Sequence, residues 1–452
     1  RAESLWKAIL ADGQRELETY GGAVEDYATS FEQAQVAVDN ASIALKEVFA
    51  PAVASVAQGI ADTLPQLVTT TEQLSILADA GIEWAAAALQ GRDAELARRL
   101  ADKIRRISRR PVRLMEVCGT HTVSIFRSGI RSVLPETVAL LSGPGCPVCV
   151  TDQAEIDAFI EVSRQPGVIV ATFGDLMRVP GSTSSLQRER AEGRDIRMVY
   201  STVDALTIAR THPGQQVVFL GVGFETTAPT IAAAILTAAQ SRLENFSVIS
   251  AHKTVPQALE ALMALDGVHI DGFMLPGHVS VIIGLNAYRP FFDRYRIPCV
   301  VAGFEPSDIL QAIASMVEQI ESGAPRLENA YPRAVTSQGN LKAQKILAEV
   351  FEPADACWRG IGLIPLSGLR IRQAYAVYDA GKRFALKLPE ARPPKGCACG
   401  EILTGKKTPP ECALYKKVCT PMDPVGPCMV SSEGTCAAYY RYYYEQRTTR
   451  ND

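Results

Sequence analysis

Three groups of thiols in this chain have residue types and spacings suited to chemistry. In "GPGCPVC", Gly143 to Cys149, two thiols stand three residues apart in a turn that prolines restrict and glycines open. A C-x-x-C turn beside βαβ units is a redox dithiol or half of a tetrahedral metal site. No second matching pair lies nearby, so Cys146 and Cys149 read as dithiol chemistry, or as ligation completed by Cys118, ahead of structural zinc. In "MEVCGTHT", Cys118 ends an apolar run and His121 follows where a helix should begin. Backbone NH groups at a helix start favour the thiolate that binds metal or attacks, although a buried inert cysteine fits the same motif. The third group is C-terminal: Cys397, Cys412, Cys419 and Cys436 are spaced C-x14-C-x6-C-x16-C. Four thiolates on a short irregular segment can fold around an iron–sulfur cluster or zinc, and the absence of compact zinc-ribbon pairing tilts the reading to iron–sulfur. Cys399 and Cys428 flank the same group, as a dithiol would if electrons passed between the two. Cys299 and Cys357 sit in apolar surroundings and are expected in the core.

The elements that must position these residues run from 111 to about 375, where β-branched apolar runs alternate with helical segments, the layout of parallel βαβ units. The runs are "VRLMEV", "TVALLS", "GVIVATF", "IRMVYS", "QVVFLG", "FSVISA", "GFMLPG" and "PCVVAGF". Nearly every Cys, His and Gly-rich turn follows directly on a run, at the carboxyl end of a strand, where open α/β sheets place ligands. This position is shared by Asp175, Glu225 with Thr226 and Thr227, His252, His278 and Glu305, each as apt to cap a helix as to meet a ligand. "GVGFETT" carries Thr226 where the dinucleotide fingerprint wants Gly or Ala, so it is a weak nucleotide signal. His212 and His269 fall in loops and carry no assigned role.

The expected fold class is therefore α/β, with two similar parallel-sheet domains and a Cys-rich C-terminal lobe, preceded by an α-helical N-terminal extension. The expected boundaries are 1–92 for the extension, which is rich in Ala, Glu and Gln; 93–210 for the first α/β domain; 211–375 for the second; and 376–452 for the lobe. With 46 basic and 49 acidic residues, no global field draws the chain to nucleic acid or an anionic membrane. The longest apolar runs fall short of the roughly 20 residues of a membrane span. Eleven cysteines, an odd number, argue for a reducing compartment, hence the cytoplasm. No signal peptide is visible, and the chain opens on Arg1 rather than Met, which leaves room for a missing upstream segment.

"MEVCGTHT", "GPGCPVCV", "TFGDLMRVPG", "GFETTAPT", "PGHVS", "AGFEP" and "MVSSEGTCAA", in this order over about 95–445, closely resemble the HypD family of hydrogenase maturation factors. The resemblance does not extend to 1–92. It implies a monomeric scaffold that joins the chaperone HypC. There an iron ion receives one carbon monoxide and two cyanide ligands before delivery to the large subunit of nickel–iron hydrogenase, cyanide coming from HypE with HypF upstream. By motif, Cys118 matches the iron-binding thiol, with His121 in the same site, and Cys146 and Cys149 match the central thiol pair. Cys397, Cys412, Cys419 and Cys436 match the 4Fe-4S ligands, either Cys397 or Cys399 being able to serve as the first. Cys399 and Cys428 match a disulfide found in some members. Electrons from the cluster would then reach Cys146 and Cys149 through Cys399 and Cys428. Two other readings compete: a free-standing thiol–disulfide oxidoreductase fed by the cluster, and a zinc protein with a nucleotide-binding body. ATP hydrolysis on the chain is left open.

Overall fold

The computed structural model describes residues 94–443 except 387; the expected helical extension over 1–92 lies outside the described residues. All eight apolar runs form strands: β1 (Val112–Glu116), β2 (Val138–Ser142), β3 (Val168–Thr172), β4 (Ile196–Met198), β5 (Gln216–Gly221), β6 (Phe246–Ser250), β7 (Gly272–Pro276) and β8 (Cys299–Ala302). Most of these strands are buried on both faces, as a helix-covered parallel sheet requires; β3 and β7 have no exposed residue, whereas the edge strands β2 and β4 expose Ala139 and Met198. A short β9 (Leu327–Asn329) extends the first sheet, whose order is β2-β1-β7-β8-β9. The second sheet has the order β4-β3-β5-β6. Every pairing in both is parallel. The fold class is thus α/β with two parallel sheets and a Cys-rich C-terminal region.

The expected boundary near residue 210 is not where the chain divides. It lays down β1 and β2 in the first sheet, crosses to build the whole of the second with β3 to β6, and returns for β7 to β9. The physical reason is long-range pairing: Leu114 of β1 lies beside Gly272 of β7, a neighbour with no local signature. A second feature absent from the sequence reading is the antiparallel hairpin of β10 (Phe351–Trp358) and β11 (Gly362–Ile371).

The crossings carry chemistry. The first, from β2 to β3, holds the C-x-x-C turn and then helix Gln153–Ser163, which starts at a capping box between Asp152 and Glu155. The second, from β6 to β7, holds His252 and Lys253 and then helix Val255–Met263. Lys253, fully buried, makes a 2.5 Å ion pair with Glu155 and so ties the two crossings together. One apolar core lies over the outer side of each sheet, and a third joins both sheets to the Cys-rich region.

Candidate functional site

In open parallel sheets the strand order reverses at a switch point, and the carboxyl ends there splay apart to leave a crevice. In the first sheet the switch lies between β1 and β7, whose ends lead to Cys118 and His278. In the second it lies between β3 and β5, whose ends lead to Phe173–Asp175 and Val222–Thr227. Residues from both meet in one cleft of about 290 Å³, lined by Gly145, Gly174, Asp175, Gly223, Thr226 and His278 among others, with Glu433 of the C-terminal region.

Cys118 precedes helix Gly119–Arg127 in extended conformation, as its N-cap. Cys118 is 1% exposed, and its sulfur lies 3.9 and 4.0 Å from the two ring nitrogens of His278. Burial pushes the thiol well above its usual pKa and outweighs the amides of His121 and Thr120 that favour the thiolate, so the expected helix-start activation does not prevail. Burial also lowers His278 to about 4, leaving a neutral ring with a free lone pair at neutral pH. Glu116, two residues before Cys118, is raised to about 8 by burial and accepts hydrogen bonds from the Cys118 amide and the Thr122 hydroxyl.

His121, expected in the same site as Cys118, is held by partners of its own. Its Nε2 lies 2.9 Å from the carbonyl of Gly303 and its ring packs on Phe304. His278 takes the place beside the sulfur. The sequence placed both imidazoles just after strand ends; only the β1–β7 pairing decides which faces Cys118.

Cys146 and Cys149 form a disulfide, and both are buried. Their turn lies directly on Cys118: Gly119 donates to the carbonyl of Gly145 at 2.9 Å, and Gly143 to that of Glu116 at 2.8 Å. Only glycine fits at 145, since a Cβ there would stand 2.0 Å from the Cys118 nitrogen. In this oxidised form the pair offers no thiolate to complete ligation by Cys118.

The six C-terminal cysteines line one pocket with Ile402, Leu414, Tyr415 and Met429. The sulfurs of Cys399 and Cys428 are 2.8 Å apart as free thiols, not the disulfide that the family pattern implies. The amide of Val425 points at the sulfur of Cys419 at 3.4 Å, an arrangement that stabilises sulfur charge. Gly426 gives Cys397 room, because a Cβ would be 2.8 Å from its sulfur. Among the described residues, no group of three or more His, Cys, Asp or Glu side chains is gathered around the position of a single metal ion. A sulfur-lined apolar chamber suits a wider group, a cluster whose irons each take one cysteine.

Of the other candidates, Asp175 accepts from Ser431 at 3.1 Å and lines the cleft. Glu225 is buried; its Oε1 accepts from the Val255 amide at 2.9 Å, and its Oε2 has no partner. His252 is buried beside Ser250, and Glu305 is an exposed residue at the start of helix Pro306–Ser322. Cys299 is in the core as expected, but Cys357 is exposed on β10 because the hairpin turns that face outward. Glu433, which the sequence reading did not single out, accepts from the Thr120 hydroxyl at 2.7 Å and bridges the C-terminal region to the helix that follows Cys118. Its only signal was its place in "MVSSEGTCAA".

The family model described as "Hydrogenase formation hypA family", HypD, matches residues 95–443. The chain is 48% identical over 354 residues to the hydrogenase maturation factor HypD of Rhodobacter capsulatus, covering 77% of this chain and 94% of that protein. It is 47% identical to HypD of Azotobacter vinelandii over 360 residues, covering 78% and 95%. It is likewise 47% identical to HypD of Cupriavidus necator over 361 residues, covering 78% and 95%. With two parallel sheets whose switch points open on one thiol-bearing cleft, and with a family match that spans the described residues almost end to end, the chain belongs to the HypD family.

Proposed function

We propose that the chain is a scaffold and redox protein on which the Fe(CN)2CO moiety of nickel–iron hydrogenase is assembled, with HypC as partner chaperone and HypE as cyanide donor. Family membership supports a role in hydrogenase maturation. The observation that carries the finer reading is the Cys118–His278 contact at the switch point of the first sheet, beside the cleft. Iron is here the substrate. An arriving cation displaces the proton that burial keeps on Cys118, and a neutral imidazole stands next to that sulfur; thiolate and imidazole together suit ferrous iron. The low polarity that raises the thiol also shields cyanide and carbon monoxide ligands from water.

Cys397, Cys412, Cys419 and Cys436 would hold a 4Fe-4S cluster, which supplies single electrons when bound. Cys399 and Cys428 stand as the dithiol beside it, and the Cys149 sulfur is 4.0 Å from the carbonyl of Pro427, the residue before Cys428. That placement supports thiol–disulfide exchange between the pairs. The same proximity favours a second reading, a free-standing oxidoreductase without cargo iron.

Among the described residues no helix is long and apolar enough to cross a membrane. We assign the protein to the cytoplasm because its buried free thiols need a reducing compartment.

The test is purification with HypC without oxygen, followed by iron and sulfide counts and infrared spectroscopy. Iron beyond the cluster's own, with bands for bound cyanide and carbon monoxide, is expected. Cys118→Ala should lose that iron and keep the cluster. Retention of the extra iron by this variant would overturn the scaffold reading, and its absence from the unaltered protein would favour the oxidoreductase.

A further inference from the structure

The turn end of β10 contacts the segments that directly follow Cys149 and Cys399. The Arg359 amide donates to the carbonyl of Val150 at 2.9 Å, its Nε to that of Thr151 at 2.9 Å and its Nη1 to Gln153 Oε1 at 2.9 Å. These are the residues that follow Cys149. Trp358 pairs with Thr151 in an antiparallel bridge and stacks on Phe224 of the turn after β5. On the other side, Gly360, with φ of 80°, lies so near Gly400 that a Cβ would be 2.1 Å from the Gly400 Cα. Gly400 follows Cys399. One tripeptide therefore spans the gap between the helix turn of the first pair and the helix that begins at the second.

Arg359 is 8% exposed, and its Nη2 is buried with no hydrogen-bond partner. An unpaired donor on a buried guanidinium costs free energy unless something nearby accepts it in another state of the protein. The guanidinium lies on the residues that follow Cys149, while the next residue, Gly360, lies on the helix that begins at Cys399.

We propose that Arg359 is a positioning residue for thiol–disulfide exchange between the two pairs: it registers the segment after Cys149 against the helix starting at Cys399 and keeps Nη2 as the donor for sulfur charge developed during exchange. This rests on the reading that the pairs exchange electrons. In the step, one sulfur of the Cys399/Cys428 dithiol gives up its proton and attacks a sulfur of the Cys146–Cys149 disulfide. That S–S bond breaks, a mixed disulfide forms and the leaving sulfur takes a proton. The second thiol of the attacking pair then displaces the first bond, closing a Cys399–Cys428 disulfide and leaving Cys146 and Cys149 as thiols. Two electrons and two protons pass from one pair to the other, with no further reagent.

The test uses the full chain purified without oxygen with its cluster, as unaltered protein, Arg359→Met, Arg359→Lys and Cys428→Ala. Differential alkylation and mass spectrometry give the state of each cysteine across glutathione buffers, and the rate after a jump to reducing buffer. Arg359→Met should shift half-reduction of Cys146–Cys149 about tenfold towards reducing buffer, about 30 mV for a two-electron couple, and slow exchange about tenfold. Arg359→Lys should recover the potential, since it keeps the charge, but not the rate, since it loses the fork. Cluster absorbance should be unchanged in both. Unaltered potential and rate in the Arg359 variants, with exchange lost in Cys428→Ala, would overturn the role of Arg359 alone. Exchange that persists in Cys428→Ala would instead remove the relay beneath it. If Arg359→Met does not fold, Arg359→Lys decides, because exchange at the full rate in that variant contradicts the proposal.

Discussion

Gly145→Ala is the most direct test of the contact on which the site depends. A Cβ at 145 would lie 2.0 Å from the Cys118 nitrogen, 2.3 Å from its Cα and 2.5 Å from the Val117 carbonyl carbon. All three are backbone atoms at the end of a central strand, so no side chain can swing aside. The C-x-x-C turn must instead move off Cys118 by more than 1 Å to restore ordinary contact, since carbon atoms prefer roughly 3.5–4 Å. That movement breaks the 2.9 Å hydrogen bond from Gly119 to the Gly145 carbonyl. Overpacking of this kind costs about 1–3 kcal/mol and a lost buried hydrogen bond about 1 kcal/mol, so a total of about 2–4 kcal/mol is expected.

The assay is a melting curve beside an iron count on protein purified without oxygen. Gly214→Ala serves as control, because nothing lies within 4 Å of a Cβ there; its effect should stay within about 0.5 kcal/mol. Gly145→Ala should melt several degrees lower and lose iron beyond the cluster while keeping the cluster. Melting and cargo iron equal to those of the unaltered protein would refute the argument that the turn is seated on Cys118.

Three other perturbations follow from the same geometry. Burial raises Glu225 from 4.5 to about 7, so the fold prefers the neutral acid; the stability present below pH 4.5 is lost as pH rises through about 7, at most about 3 kcal/mol. Glu225→Gln keeps an acceptor for the Val255 amide and should flatten the dependence of melting temperature on pH between about 5 and 8; a slope equal to that of the unaltered protein would exclude Glu225 as its source. Gly426→Ala puts a Cβ 2.8 Å from the Cys397 sulfur and should lower both iron and sulfide content, whereas full counts would argue against Cys397 as a cluster ligand. His278→Ala should weaken retention of cargo iron by at least about tenfold with the cluster unaffected, and unchanged retention would return the role to another group.

The strands were legible because β-branched runs in a helix-covered sheet are apolar on both faces, and the turns after them were legible because Gly, Cys and His interrupt that pattern abruptly. Sheet order left no such trace. Reading neighbours in sequence as neighbours in space put a boundary near 210, whereas β1 pairs with β7 and the second sheet is inserted between β2 and β7. The hairpin escaped for a different reason: β10 alternates exposed and half-buried residues and contains Pro353, so it resembles a loop. The imidazole beside the sulfur has the same origin as the misplaced boundary. His121 is three residues from Cys118 and His278 is on another strand, yet His278 meets the sulfur because β7 returns beside β1 only after the entire second sheet has been built. The thiol–imidazole contact is therefore a consequence of the completed insertion. The same insertion puts the C-x-x-C turn on the outgoing crossing, where Gly145 is held against Cys118 before the chain leaves the first sheet. The Cys118 site and the disulfide are neighbours by topology, and a change that loosens either crossing should be felt at both.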